Sequence, residues 1–238
     1  MICVPIGGGT MARAFREIEK GARLADVLEL RMDLIGDGDL ALLVGRIRSC
    51  SKAVKILVTP RIGKGGPPNE SRTHTDRSID NILAEAVALG VEYVAVEIRD
   101  TGIRWDKLRA LSGECGGGTK TKLIASYHDF RETPPPRMLR RIFDECVGAE
   151  ADIAKIATWA RRPEDNLKIL GIIPYARKRG REIIAFCMGP LGRASRIAAP
   201  FLGSTMSFAA LRRGSESAPG QLTVREMRRI LGVLGHGG

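Results

Sequence analysis

Short apolar runs recur along this chain at 2–6, 26–33, 54–59, 93–98, 122–130, 152–157, 182–187 and 206–210. Segments with helical spacing follow them at about 11–24, 39–49, 76–89, 106–112, 136–147, 163–179, 195–202 and 223–234. A strand can reach a parallel neighbour only through a crossover, so strict alternation predicts a parallel sheet covered by helices. Eight such units in 238 residues suit a closed α/β barrel, a (β/α)8 TIM barrel, better than an open doubly wound sheet. No linker-like stretch interrupts the pattern, which predicts one barrel domain over 1–238. The turn Gly7-Gly8-Gly9 lacks the full dinucleotide-binding pattern and does not argue for the open sheet.

Composition narrows the partners. No apolar run reaches the ~18 residues that a membrane span needs. The net charge of +11 raises nucleic acid as a partner, but aromatic residues make up only 5%. The basic residues are also spread over polar helix faces among acidic ones. The reading is a solvated basic surface that attracts an anionic metabolite, with no nucleic-acid partner and no membrane. Cysteines at 3, 50, 115, 146 and 187 are odd in number and lack metal spacing. Met1 to Ile6 reads directly as a strand and not as a leader. Reduced thiols in a cytoplasmic protein are expected.

A barrel of this kind builds its site at the carboxyl ends of its strands. There the second strand carries Glu29, Arg31 and Asp33, the third Arg61, the fourth Glu97, the fifth His128 and the sixth Lys155. The loops after strands seven and eight carry Arg196, Ser217 and Gln221. Singly, each has a structural reading: Glu29 with Arg31 as an internal ion pair, His128 as a capped strand end, Arg196 as a helix-surface residue. Together on successive strand ends they need one another or a ligand to be satisfied. Lys155 stands out, because apolar residues flank it on both sides in Asp152-Ile-Ala-Lys155-Ile-Ala157.

An amine in a low-dielectric pocket among cations loses its proton more readily, and the free amine attacks a carbonyl to form a Schiff base. The protonated imine makes the neighbouring carbon acidic, and a histidine is suited to moving that proton. Arginines in the same mouth suit an anionic substrate. The chemistry calls for no metal and no cofactor. A class I aldolase or transaldolase acting on a sugar phosphate would use the same lysine, with Gly189 to Gly192 as a phosphate turn.

The set resembles the type I 3-dehydroquinate dehydratases in Glu29-Leu-Arg31 with Asp33, Arg61, Ser126-Tyr-His-Asp-Phe130, Asp152 to Ala157, Gly192-Arg-Ala-Ser-Arg196 and Ser217-Ala-Pro-Gly-Gln221. The resemblance implies dehydration of 3-dehydroquinate to 3-dehydroshikimate in the shikimate pathway of aromatic amino-acid biosynthesis, by a homodimer without cofactors. It implies that Lys155 forms the imine and His128 is the general acid/base. Arg196, with Ser217 and Gln221, would hold the substrate carboxylate, and Glu29, Arg31 and Arg61 the ring hydroxyls. Loops 62–72 and 214–221 would close over the substrate. The family often has a glutamate shortly after the position of Arg61, whereas Ile62 to Gly66 here contains none. Either another residue, Glu70 or Glu97, orients His128, or the imidazole is held less well. Strand four reads Ala95-Val-Glu97 where the family often has Asp-x-Glu, so Glu97 is carried over only as a supporting residue.

Overall fold

A computed structural model describes residues 1–36, 38–60, 79–99, 104–113 and 120–235. Its strands are β1 (Ile2–Ile6), β2 (Val27–Arg31), β3 (Lys55–Thr59), β4 (Tyr93–Glu97), β5 (Lys122–Asp129), β6 (Ile153–Trp159), β7 (Glu182–Met188) and β8 (Ser207–Phe208). They pair in parallel in the order β7-β6-β5-β4-β3-β2-β1-β8. Between β7 and β8 the Thr205 N–H donates to the Ile183 carbonyl at 2.8 Å, across the seam. The result is a nearly closed (β/α)8 TIM barrel.

The helices are α1 (Met11–Gly21), α2 (Leu40–Cys50), α3 (Ile79–Ala88), α4 (Trp105–Gly113), α5 (Pro136–Gly148), α6 (Asp165–Leu170), α7 (Ile172–Lys178), α8 (Arg193–Leu202) and α9 (Val224–Val233). Side chains start several of them. Thr10 accepts from the Arg13 N–H ahead of α1, Asp39 caps α2, and Thr223 with Glu226 forms a capping box on α9. The expected helix over 163–179 is two helices: Pro174 has no N–H to return to the Leu170 carbonyl, and the chain re-forms as α7 after Gly171. The expected strand over 206–210 is only Ser207–Phe208, because Ala210 leaves the barrel to bridge Thr223.

Alternation sorts the strand residues into two layers. Val4, Leu28, Leu30, Ile56, Val58, Ala154 and Ile156 face outward and pack under the helices. Cys3, Val27, Leu57, Tyr93, Ile124, Ile153, Ile184, Phe186 and Phe208 face inward and fill the barrel. At the amino-terminal end, carboxylates just before alternate strands tie the barrel together. Asp26, before β2, accepts the Ile2 N–H at 2.6 Å; Glu92, before β4, accepts from Ile56 at 2.7 Å; Asp152, before β6, accepts from Leu123 at 2.8 Å. Each is also held by an arginine, respectively Arg228, Arg48 and Arg109. That end is built for stability, and the ionisable groups left over gather at the other.

Candidate active site

The inward positions change from apolar to polar toward the carboxyl ends. Above Val27 stand Glu29 and Arg31; above Leu57 stands Thr59; above Ile124 stand Ser126 and His128; above Ile153 stands Lys155. All of these line one cavity, with Glu97, Phe130, Phe186, Met188, Arg196, Phe208, Ser217 and Gln221. The structure thus brings Glu29, Arg31, Glu97, His128, Lys155, Arg196, Ser217 and Gln221 together; Asp33 does not line the cavity but holds Arg31, and Arg61 lies outside the described residues, as do loop 62–72 and Glu70.

Register relates the central pair. Ser126 lies opposite Lys155 and His128 opposite Ala157, so His128 stands two residues further along the neighbouring strand and on the same face as Lys155. Two residues of rise and one strand spacing put the two Cβ atoms roughly 8 Å apart, a span these side chains bridge. One strand before, Glu97 lies opposite Ser126 and so bears the same diagonal relation to His128. Its Oε2 is 2.8 Å from the His128 Nδ1, and its Oε1 accepts the His128 backbone N–H at 3.0 Å. A carboxylate on Nδ1 selects the tautomer that carries its proton there and leaves Nε2 as the base. Phe130 stacks on the imidazole at 6.0 Å with an interplanar angle of 11°. Glu97 thus makes the orienting contact to His128.

Lys155 is only 6% exposed. Its Nζ lies 4.0 Å from the centroid of the Phe208 ring. Arg31 is held in a buried fork by Asp33, at 2.8 and 2.7 Å, and the Thr59 hydroxyl donates to Glu29 at 2.8 Å. Thr59 and Phe208 were not singled out from the sequence, although alternation along their strands would have marked both as inward-facing.

Arg196 is fully buried, on the first turns of α8, with its guanidinium carbon 4.4 Å from the centroid of Phe186. Its Nη2 reaches the Pro219 carbonyl at 3.4 Å, while Nε and Nη1 have no hydrogen-bond partner among the described residues. Burial lowers its pKa to about 9, which still leaves the cation dominant at neutral pH. A buried cation with two unused donors can pair with an anion. Its backbone is fixed by an unusual exchange. Pro200, one helical turn on, has no N–H to give the Arg196 carbonyl, and the Ser207 hydroxyl of β8 donates to it instead at 2.9 Å.

Beside Arg196, the Gln221 Oε1 accepts the Ser217 N–H at 2.9 Å and its Nε2 donates to the Ser217 hydroxyl at 3.2 Å. This loop crosses the one after β7, where the Gly189 N–H donates to the Pro219 carbonyl at 2.9 Å. Gly220 has φ +83°, and a Cβ there would lie 2.1 Å from the Gly189 carbonyl oxygen. The turn Gly189 to Gly192 is therefore engaged internally: the Gly189 and Gly192 N–H groups bond to Pro219 and Gly189, and the Ser195 N–H to Asn166. A phosphate would have to displace those bonds.

The family model for type I 3-dehydroquinase matches residues 2–237. A 3-dehydroquinate dehydratase of Desulfotalea psychrophila is 36% identical over 96% of both chains. The crystal structure of 3-dehydroquinate dehydratase from Geobacillus kaustophilus superposes with a TM-score of 0.83 at 28% identity, covering 98% of this chain and 90% of that one. The type I enzyme of Clostridium difficile, solved with covalently modified comenic acid, gives 0.80 at 25% identity and covers 98% of this chain and 91% of that one.

Proposed function

Because the chain belongs to the type I 3-dehydroquinase family, hydro-lyases of 3-dehydroquinate, we propose that it works through an imine on Lys155 with His128 as the acid and base. The observation that carries this reading is the position of His128 on the middle of three successive strands, two residues beyond Glu97 on one side and Lys155 on the other.

The lone pair of the Lys155 amine attacks the substrate ketone, and the ketone oxygen leaves as water to give an iminium ion. His128 removes a proton from the adjacent carbon through Nε2, and the C–H electrons flow into the iminium to form an enamine. The enamine then expels the hydroxyl one carbon further on, which departs as water with the proton that His128 returns. Water hydrolyses the conjugated iminium, releasing 3-dehydroshikimate and the free amine. The net change is loss of one water. Glu97 holds His128 in one tautomer throughout.

Arg196 pairs with the substrate carboxylate, and Ser217 and Gln221 complete that end. Glu29, Arg31 and Arg61 take the ring hydroxyls. Two donors left unused on a buried guanidinium support the first assignment, and the covalently modified comenic acid in the Clostridium difficile relative is consistent with a covalent route. The reading carries with it one catalytic domain, a cytoplasmic homodimer without cofactors, and a place in the shikimate pathway. Assay of Lys155→Ala with circular dichroism tests it. Turnover should vanish while the fold persists, and substantial turnover would refute the imine.

A further inference from the structure

Two cations of this site stand on rings. Phe186 and Phe208 come from the two strands on either side of the barrel seam and are both 3% exposed. Their centroids are 5.8 Å apart with planes inclined at 48°. Phe186 lies under the Arg196 guanidinium at 4.4 Å and Phe208 under the Lys155 Nζ at 4.0 Å. The second contact involves the nitrogen that the proposed reaction makes covalent.

A ring face attracts a cation through its quadrupole, most strongly where water is excluded. Unlike a carboxylate, it offers no base to take up the proton and no full charge to hold the lysine permanently as ammonium. We propose that Phe208 is a further catalytic residue, whose ring face keeps the Lys155 imine protonated while it serves as the electron sink. The inference rests on the imine reading above. A neutral imine is a poor sink, so losing the ring's attraction should cut the proton affinity of the imine nitrogen by roughly 2- to 30-fold, the span of a cation–π contact.

Other charges share the cavity and bear on the same nitrogen. Glu29 and Arg31 come from β2, Glu97 from β4, His128 from β5 and Arg196 from α8. Cys3, inward on β1, feels both Lys155 and Glu29, and burial raises its pKa well above the ordinary thiol value. The test therefore changes only the ring. Phenylalanine at 208 is replaced by its mono-, di- and trifluorinated forms, which keep its shape and progressively weaken the quadrupole. For each protein the alkaline limb of kcat is measured with 3-dehydroquinate, together with the pH dependence of borohydride reduction of the Lys155 adduct.

Both profiles should move stepwise to lower pH as fluorines are added, with Phe208→Leu at the end of the series. Profiles that superpose on the parent would show that the ring only packs, and would overturn the inference with the imine intact. Absence of any adduct in the parent protein would overturn the imine itself, a separate result.

Discussion

Glu97 grips His128 twice, by the ring Nδ1 at 2.8 Å and by the backbone N–H at 3.0 Å. The tautomer of His128 is thereby set by a residue on the neighbouring strand, which leaves Nε2 as the base. Glu97→Gln keeps the shape but can offer an amide N–H to Nδ1, which favours the wrong tautomer. We expect kcat to fall by about 10²-fold or more, by analogy with other carboxylate–histidine pairs. The variant also stabilises the imidazolium less, so the acid limb of its kcat/KM profile should move to lower pH. Steady-state kinetics across pH check both, and an unchanged profile would show that the contact is only structural.

Arg196 costs the fold more than it returns until an anion arrives. It is buried with two donors unused, and replacing such a group by a well-packed apolar one often stabilises by about 1–4 kcal/mol. Arg196→Met should raise Tm while raising KM by about 10²-fold, since a charge-assisted hydrogen bond is worth about 1.5–3 kcal/mol. Saturating substrate-like carboxylate should raise Tm in the parent and not in the variant. The sign of the pH effect on stability follows from the depressed pKa of about 9. Above that pH the unfolded state binds the extra proton, so this group's destabilisation fades as pH rises and is fully present below it.

The link from Pro200 through Arg196 to Ser207 makes a double-mutant test. Ser207→Ala leaves the buried Arg196 carbonyl without its 2.9 Å donor and should cost about 1–3 kcal/mol, with KM rising more than kcat falls. Pro200→Ala supplies the missing N–H. Combined with Ser207→Ala it should recover much of the loss, read from denaturant unfolding and KM. Additive effects would show that the two residues do not share that carbonyl.

Much of this arrangement is legible without coordinates. Lys155 betrays itself by an ammonium set among apolar residues at strand spacing, and His128 ends the apolar run before it. The contact from Glu97 is not legible in the same way. It depends on the register of β4 against β5, and a one-residue slip would turn the carboxylate to the helices. Alternation along 206–210 gives Phe208 its inward face, but not the approach of its ring to Lys155, which depends on how β8 closes the barrel beside β1 and β7. The break between α6 and α7 turns on Pro174, an interior proline of the 163–179 segment and so a legible break signal, although the helical spacing runs on across it.

Gly220 holds the last loop against the one after β7. Its φ of +83° and the 2.1 Å approach of a would-be Cβ to the Gly189 oxygen leave no room for alanine. Gly220→Ala should lower stability by at least about 1–3 kcal/mol and raise KM by displacing Ser217 and Gln221, with a smaller effect on kcat. Thermal melts and initial rates check this.

The central claim is a covalent bond between Lys155 and the substrate. Its most direct test is to incubate the protein with 3-dehydroquinate and borohydride, weigh the intact protein and map the peptides. The account predicts one reduced adduct, carried on Lys155 and absent from Lys155→Ala. Turnover by a folded protein that yields no adduct, or yields it on another residue, would contradict it.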